Sequence, residues 1–181
     1  MKKIISVFII LGILSFLTGC SSFGNDTNAE SEIDYSKFNF KFKYGVNAKN
    51  AIDTFNNTYT KDLVLDGTTT IDFTLTDEEK KSIVDNMFEL DVFNYPTEFK
   101  KYFDVTPMST FILELEYKGE RKTLSWTSEN IPHKKINATK YVKNDETKHI
   151  IGLVKLSEKI KDIIHNKSEY KELPESQGGY L

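Results

Sequence analysis

Phe38, Phe40, Phe42 and Tyr44 alternate with Asn39, Lys41 and Lys43 in the stretch FNFKFKY. Alternation with a period of two puts every second side chain on the same face of an extended strand. One face is then aromatic and the other carries lysine. Such a strand belongs in an antiparallel sheet that is covered on one side and wet on the other.

Two further stretches supply partner strands. In TFILELEYKGERKTLSW the pair Lys118-Gly119 suits a two-residue turn, setting Leu113 against Leu124, Phe111 against Trp126 and, on the opposite face, Glu116 against Arg121. In YTKDLVLDGTTTIDFTLT the turn falls near Asp66-Gly67. A two-residue loop there places Asp62 opposite Ile71 and mixes polar with apolar side chains. A three-residue loop pairing Leu63 with Ile71 and Tyr59 with Leu75 is therefore expected. The segment between, NAKNAIDTFNNT, is polar and turn-rich, with room for one short helical turn.

Two helices are expected. In TDEEKKSIVDNMFELD, Thr76 and Glu79 have the spacing of a capping box, acids fill the first turn, and Ile83, Val84, Met87, Phe88 and Leu90 make one apolar stripe. A final helix from about Glu146 to His165 carries Ile150, Leu153, Leu156, Ile160, Ile163 and Ile164. FNYPTEFKKYF between them is irregular, because Pro96 holds Tyr95 extended. The expected fold is α+β, in the order β-β-β-α-β-β-α: an antiparallel sheet of about five strands with two helices on one face. Residues 33–181 are long enough for one such domain.

The first thirty-two residues have another character. Met1-Lys2-Lys3 precedes an apolar run from Ile4 to Leu17, a charged start and greasy middle that read as a secretory signal. Crossing a bilayer takes about 20 apolar residues, and this run is shorter. It closes in Leu17-Thr18-Gly19-Cys20, which resembles the lipobox of bacterial lipoproteins. That resemblance implies cleavage after residue 19, a diacylglyceryl group on the Cys20 thiol, and attachment to the outer face of the cell membrane. Two acyl chains anchor stably where one does not. Residues 20–32, polar and small, then read as a flexible tether. Cys20 is the chain's single cysteine, so its use as an anchor leaves no thiol for a disulfide, a nucleophile or a metal.

Tyr44-Gly45-Val46, the stretch DTFNNTYTKDLV from Asp53, LTDEE from Leu75, Tyr95-Pro96 and LPESQGGY from Leu173 together resemble a set of small lipoproteins of Gram-positive bacteria. The resemblance spans nearly all of the chain after Cys20. It implies a single domain and an envelope location, and no activity.

Charge and motif narrow the chemistry. Without Lys2 and Lys3, 22 of the 24 basic residues face 27 acids, a formal charge of −5 that disfavours nucleic acid as a partner. His149 and His165 are sixteen residues apart, roughly 160° around a continuous helix, so the two do not share a metal ion. With His133 in a loop, no His or Cys spacing suggests a metal site, and no cofactor is implied. Ser125 lacks a glycine elbow, and no glycine-rich phosphate loop occurs. Asp53, Asp62, Asp66 and Asp72 do not match a calcium loop. Glu114 and Glu116 share a strand face, as a glycosidase pair would, although Arg121 opposite Glu116 fits a solvated face with cross-strand pairing equally.

Candidate binding residues are tyrosines near strand ends and loops (Tyr44, Tyr59, Tyr95, Tyr102, Tyr141) and the lysines Lys134, Lys135, Lys140 and Lys143 of the long segment from Asn130 to Lys148. Tyrosine combines an apolar ring with a polar tip, which suits a small-molecule or protein partner, and suits equally a lid over the open end of a sheet. Two functional expectations follow: a non-enzymatic binding module, or an envelope hydrolase that uses carboxylates. The hydrolase requires Asp53, Asp62 or Asp72 to converge with Glu114 or His133 in a buried cleft.

Overall fold

The computed structural model describes residues 33–132 and 145–181. The signal segment 1–19, the tether 20–32 with Cys20, and His133, Lys134, Lys135, Lys140, Tyr141 and Lys143 lie outside the described residues.

Six strands form one antiparallel sheet: β1 (Phe38–Tyr44), β2 (Asn50–Asp53), β3 (Thr58–Val64), β4 (Gly67–Asp72), β5 (Thr110–Tyr117) and β6 (Glu120–Thr127), in the spatial order β4-β3-β2-β1-β5-β6. Among the described residues three α-helices accompany them: α1 (Asp77–Glu89), α2 (Asp145–Asn166) and the single turn α3 (Ser168–Lys171). The α+β class holds. The strand count is six rather than about five, because Asn50-Ala51-Ile52-Asp53, expected within a turn region, pairs with β1 on one side and β3 on the other.

The aromatic face of β1 forms the centre of the core. Phe38, Phe40 and Phe42 are 0% exposed, and full burial of each stabilises by about 1.5–3 kcal/mol relative to leaving it in water. Register carries that face across the sheet: Phe42 lies opposite Ile52 and Leu113, Ile52 opposite Tyr59, and Leu113 opposite Leu124. The helices cover the same face. Phe88 of α1 packs edge-on against Phe38 with centroids 5.8 Å apart, and Tyr170 of α3 packs against Tyr59 at 5.7 Å. Ile83, Val84 and Met87 of α1 and Ile150, Leu153, Leu156, Ile160 and Ile164 of α2 complete the core.

Local chemistry explains the element boundaries. Thr76 accepts from the Glu79 N–H at 3.2 Å, while the Thr76 N–H donates to Glu79 Oε2 at 2.8 Å, the capping box that starts α1. Glu79 also pairs with Lys167 Nζ at 3.1 Å, tying the start of α1 to the end of α2. Gly152 lies inside the continuous α2, where glycine ordinarily costs about 1 kcal/mol against alanine. A Cβ there would lie 2.9 Å from Leu90 Cδ2 and 2.9 Å from Tyr95 Oη, so its absence lets that segment approach the helix.

The β5–β6 hairpin has the expected register, with Leu113 facing Leu124, Phe111 facing Trp126 and Glu116 facing Arg121. Lys118 (φ 50°) and Gly119 (φ 85°) both take the left-handed conformation that two-residue hairpin turns require. The β3–β4 hairpin departs from expectation. Tyr59 faces Ile71 and Asp62 faces Thr68, and the register then shifts so that Val64 faces Gly67. Leu63 is the extra residue of a bulge. Asp62 and Leu63, neighbours at the bulge, are both buried, Asp62 against the Tyr180 hydroxyl of the C-terminal segment. Residues at the C-terminal end dock on this bulge: the Gln177 N–H donates to the Leu63 carbonyl at 3.1 Å, and the Leu65 N–H donates to the Gln177 carbonyl at 3.3 Å.

Candidate functional site

The face of the sheet opposite the helices carries the alternate set of side chains. By register this set includes Lys41 and Lys43 of β1, Asp53 of β2, Glu114 and Glu116 of β5, and Arg121 and Thr123 of β6. A groove of about 370 Å³ lies on this face, lined by Lys41, Asp53, Asn56, Glu114, Glu116 and Arg121 among others, with Phe55, 41% exposed, at its wall. The groove is partly open to solvent rather than an enclosed cleft.

Lys41 organises the centre. It faces Asp53 on one neighbouring strand and Glu114 on the other, and its Nζ lies 2.9 Å from Asp53 Oδ2. Asp53 Oδ1 accepts from the backbone N–H groups of Phe55 and Asn56 at 3.0 and 3.2 Å, and Oδ2 accepts from the Asn56 side chain at 3.0 Å. Burial acts to raise the Asp53 pKa, but the donors Lys41 and Asn56 outweigh it and hold the carboxyl below its ordinary value. The acid is ionised and committed to shaping the β2–β3 turn. Along the groove, Glu116 Oε2 meets the Arg121 guanidinium at 2.7 Å, the cross-strand pair expected from the hairpin register, and Lys43 Nζ stands 3.8 Å from Glu114 Oε1.

Asp53 and Glu114 therefore line one groove, as the hydrolase expectation required of a carboxylate pair, but with a lysine between them and in an open setting. Chemically, the arrangement presents alternating cations and anions with one exposed phenyl ring. That suits a polar ligand of mixed charge held by several charge-assisted hydrogen bonds.

The tyrosines expected to form a surface lie elsewhere. Tyr44 is 8%, Tyr59 0% and Tyr95 5% exposed; all three are core residues on the helix-covered side. Tyr44 and Tyr59 satisfy each other inside, their hydroxyl oxygens 2.7 Å apart, and the Tyr95 ring packs at a tilt against His149 with centroids 4.1 Å apart. Tyr102 is half-buried, its hydroxyl 3.0 Å from Thr147 Oγ1.

Asp62 belongs to the docked C-terminal segment: its Oδ2 accepts from Tyr180 Oη at 2.7 Å, and its carbonyl accepts from Ser176 Oγ at 2.6 Å. Asp72 lies on β4, facing Thr58. His149 and His165 sit on one unbroken helix, His165 against Tyr170 at 4.5 Å. Among the described residues no three His, Cys, Asp or Glu side chains are grouped to hold a metal ion, and no helix is long and apolar enough to cross a membrane.

Asp53 is expected beside Glu114 only as a hydrolase carboxylate, and Asn56 escaped the sequence reading, because its place in the groove depends on recognising β2. The only available signal was the Asp-x-x-Asn spacing of an Asx-type turn ahead of a strand. No protein-family model matches the chain, and no curated protein or solved structure is significantly similar to it.

Proposed function

We propose that this chain is a lipoprotein anchored through Cys20 to the outer face of the cell membrane, of the kind its resemblance to small Gram-positive lipoproteins suggests. Its domain acts as a binding module for a polar ligand or protein segment of mixed charge, and the groove of the open sheet face is the contact site. The observation that carries the binding reading is the state of Asp53: its carboxylate already accepts from Lys41, Asn56 and two backbone N–H groups. A general acid or base needs a proton to give or a free lone pair to use, and this carboxylate has neither.

The anchor and the groove are tested separately. Cys20→Ser should release the protein from the membrane fraction; unchanged retention counts against lipidation. For the groove, peptides and amide-bearing glycans from the cell envelope are titrated into the isotope-labelled protein. Amide shifts should concentrate on Lys41, Asn56 and Thr123. Shifts that cluster elsewhere would move the site.

The carboxylate-hydrolase reading keeps one observation in its favour, the shared groove of Asp53 and Glu114. Cleavage of an added glycan or peptide that is lost in both Asp53→Asn and Glu114→Gln would replace the binding reading with it.

A further inference from the structure

Phe55 is the only exposed aromatic side chain among the described residues. One exposed apolar side chain is ordinary on a protein surface. The turn that carries this one is not. Thr54 is pinned to β1: its N–H donates to the Phe40 carbonyl at 3.0 Å. Its hydroxyl accepts from the Phe40 N–H at 2.8 Å and donates to the Phe40 carbonyl at 2.9 Å. Asp53 Oδ1 holds the N–H groups of Phe55 and Asn56, and the Asn57 carbonyl accepts from the Phe73 N–H at 2.8 Å. Each residue of the turn is thus tied to the sheet. The phenyl ring stands at the groove wall with little backbone freedom to lose on contact.

The rest of the lining narrows what that ring serves. Lys41, Arg121 and Lys122 are balanced by Asp53, Glu114 and Glu116, so the groove has no net formal charge. Lys41 already meets Asp53, and Arg121 meets Glu116. A strongly charged ligand gains nothing from the field of such a groove and must displace a pair to enter. A peptide captured through its main chain needs an unpaired strand edge, and the central strands β1 and β5 are paired on both sides. What the groove offers is carboxylate acceptors, guanidinium and ammonium donors, and the Asn56 amide. A hydroxyl donates and accepts at one atom, so a ligand dense in hydroxyls uses neighbouring groups of either kind without carrying charge.

We propose that the groove binds a neutral saccharide, with the apolar C–H face of one sugar ring on Phe55 and its hydroxyls on Asn56, Glu114 and Arg121. The inference rests on the reading of this groove as the contact site, and it narrows the polar ligand to one that supplies dipoles rather than charges. The volume of about 370 Å³ is that of a small-ligand site. Asp53 is a positioning residue, occupied with Lys41 and with the turn that presents the ring.

Three uncharged probes, chitotetraose, cellotetraose and maltotetraose, are titrated into the isotope-labelled full chain in a detergent without a sugar headgroup. The deacetylated, cationic form of chitotetraose is the charged counterpart. At least one neutral tetrasaccharide should move the amides of Phe55, Asn56 and Thr123. Its affinity should hold from about 0.05 to about 0.5 M salt, a range that screens attraction between charges. Phe55→Ala should weaken binding at least about fivefold, and Phe55→Tyr, which keeps the ring, should retain it. Phe55 is exposed, and unchanged amide positions away from the turn will show that the variants fold. Absence of binding by all three neutral sugars, a Phe55→Ala variant that binds as wild type does, or tighter binding of the cationic form would each overturn the proposal. Peptides that move the groove amides where the sugars do not would overturn the saccharide and leave the groove as the contact site. Sugars that move amides elsewhere would overturn both.

Discussion

The hydroxyl oxygens of Tyr44 and Tyr59 lie 2.7 Å apart in the core, each the other's partner. Burial raises the pKa of both, that of Tyr44 to about 12, with the Tyr59 hydrogen bond acting in the opposite sense on Tyr44. Because the folded values lie above the unfolded one of about 10, the neutral pair supports folding fully below pH about 10. That support is lost as pH rises toward and through about 12. Alkaline titration should show the tyrosinate absorbance of these two residues appearing together with unfolding. Tyr59→Phe should cost about 1–3 kcal/mol by orphaning the Tyr44 hydroxyl, and Tyr44→Phe added to it should restore part of that. Additive losses in urea melts would show that the pair is not coupled.

Asp53 gives the opposite pH dependence. Its folded pKa is depressed, so its contribution is fully present above the unfolded value of about 3.9 and is lost as pH falls from there through the lower folded value. Asp53→Ala should destabilise by about 2 kcal/mol at neutral pH, and by progressively less as pH falls below about 3.9 toward the depressed folded value. Denaturation at neutral and at acid pH checks the difference; equal losses would rule out the ionised carboxylate as the cause.

Glu79 serves two partners with one oxygen, the Thr76 N–H and Lys167 Nζ. Glu79→Gln keeps a capping acceptor and loses only the ion pair, which is partly exposed and worth about 0–1 kcal/mol. Glu79→Ala loses both and should cost about 1 kcal/mol more. Thermal melts of the two variants will separate the roles.

Val64 has φ 62°, a left-handed conformation that a β-branched residue rarely takes. Val64→Gly should remove strain of about 1–2 kcal/mol, less the loss of a half-buried side chain. We expect equal or greater stability by urea denaturation. A loss beyond about 1 kcal/mol would mean that the valine contacts outweigh the strain.

The C-terminal segment holds the same bulge from outside. Truncation after Leu173 removes the Ser176 and Tyr180 bonds to Asp62 and the Gln177 bonds to Leu63 and Leu65. Hydrogen exchange at the Leu65 amide should accelerate while that of core strand β1 stays slow. Uniform acceleration would show that the segment supports the whole domain.

What could be read from residue order was the part written in side-chain periodicity. β1, the β5–β6 register, the capping box of α1 and the stripe of α2 all follow from spacing alone, and so does the Glu116–Arg121 pair of the groove. What escaped depended on backbone choices or distant partners. β2 has only four residues amid asparagines, and its pairing comes from the strands beside it rather than from its own propensity. The β3–β4 register turned on a bulge that residue-type patterns disfavour at Val64. For Tyr44 and Tyr59 the sequence left a binding surface and a lid over the sheet's end both open, because nothing local reveals that two phenols fifteen residues apart will satisfy each other inside.

The first strand of the domain is also its central one. On one side β1 leads through short turns into β2, β3 and β4, a meander made from neighbours in sequence. On the other it meets β5, where Phe38 faces Tyr117 across most of the domain's length. The six-stranded sheet is thus two locally made pieces joined along one long-range strand pairing, that of β1 with β5. Loop closure across α1 must precede that join, so the β1–β5 contact is where contact order puts the slow step of folding. A chain stalled before it would hold a bare aromatic strand flank, the state most exposed to aggregation.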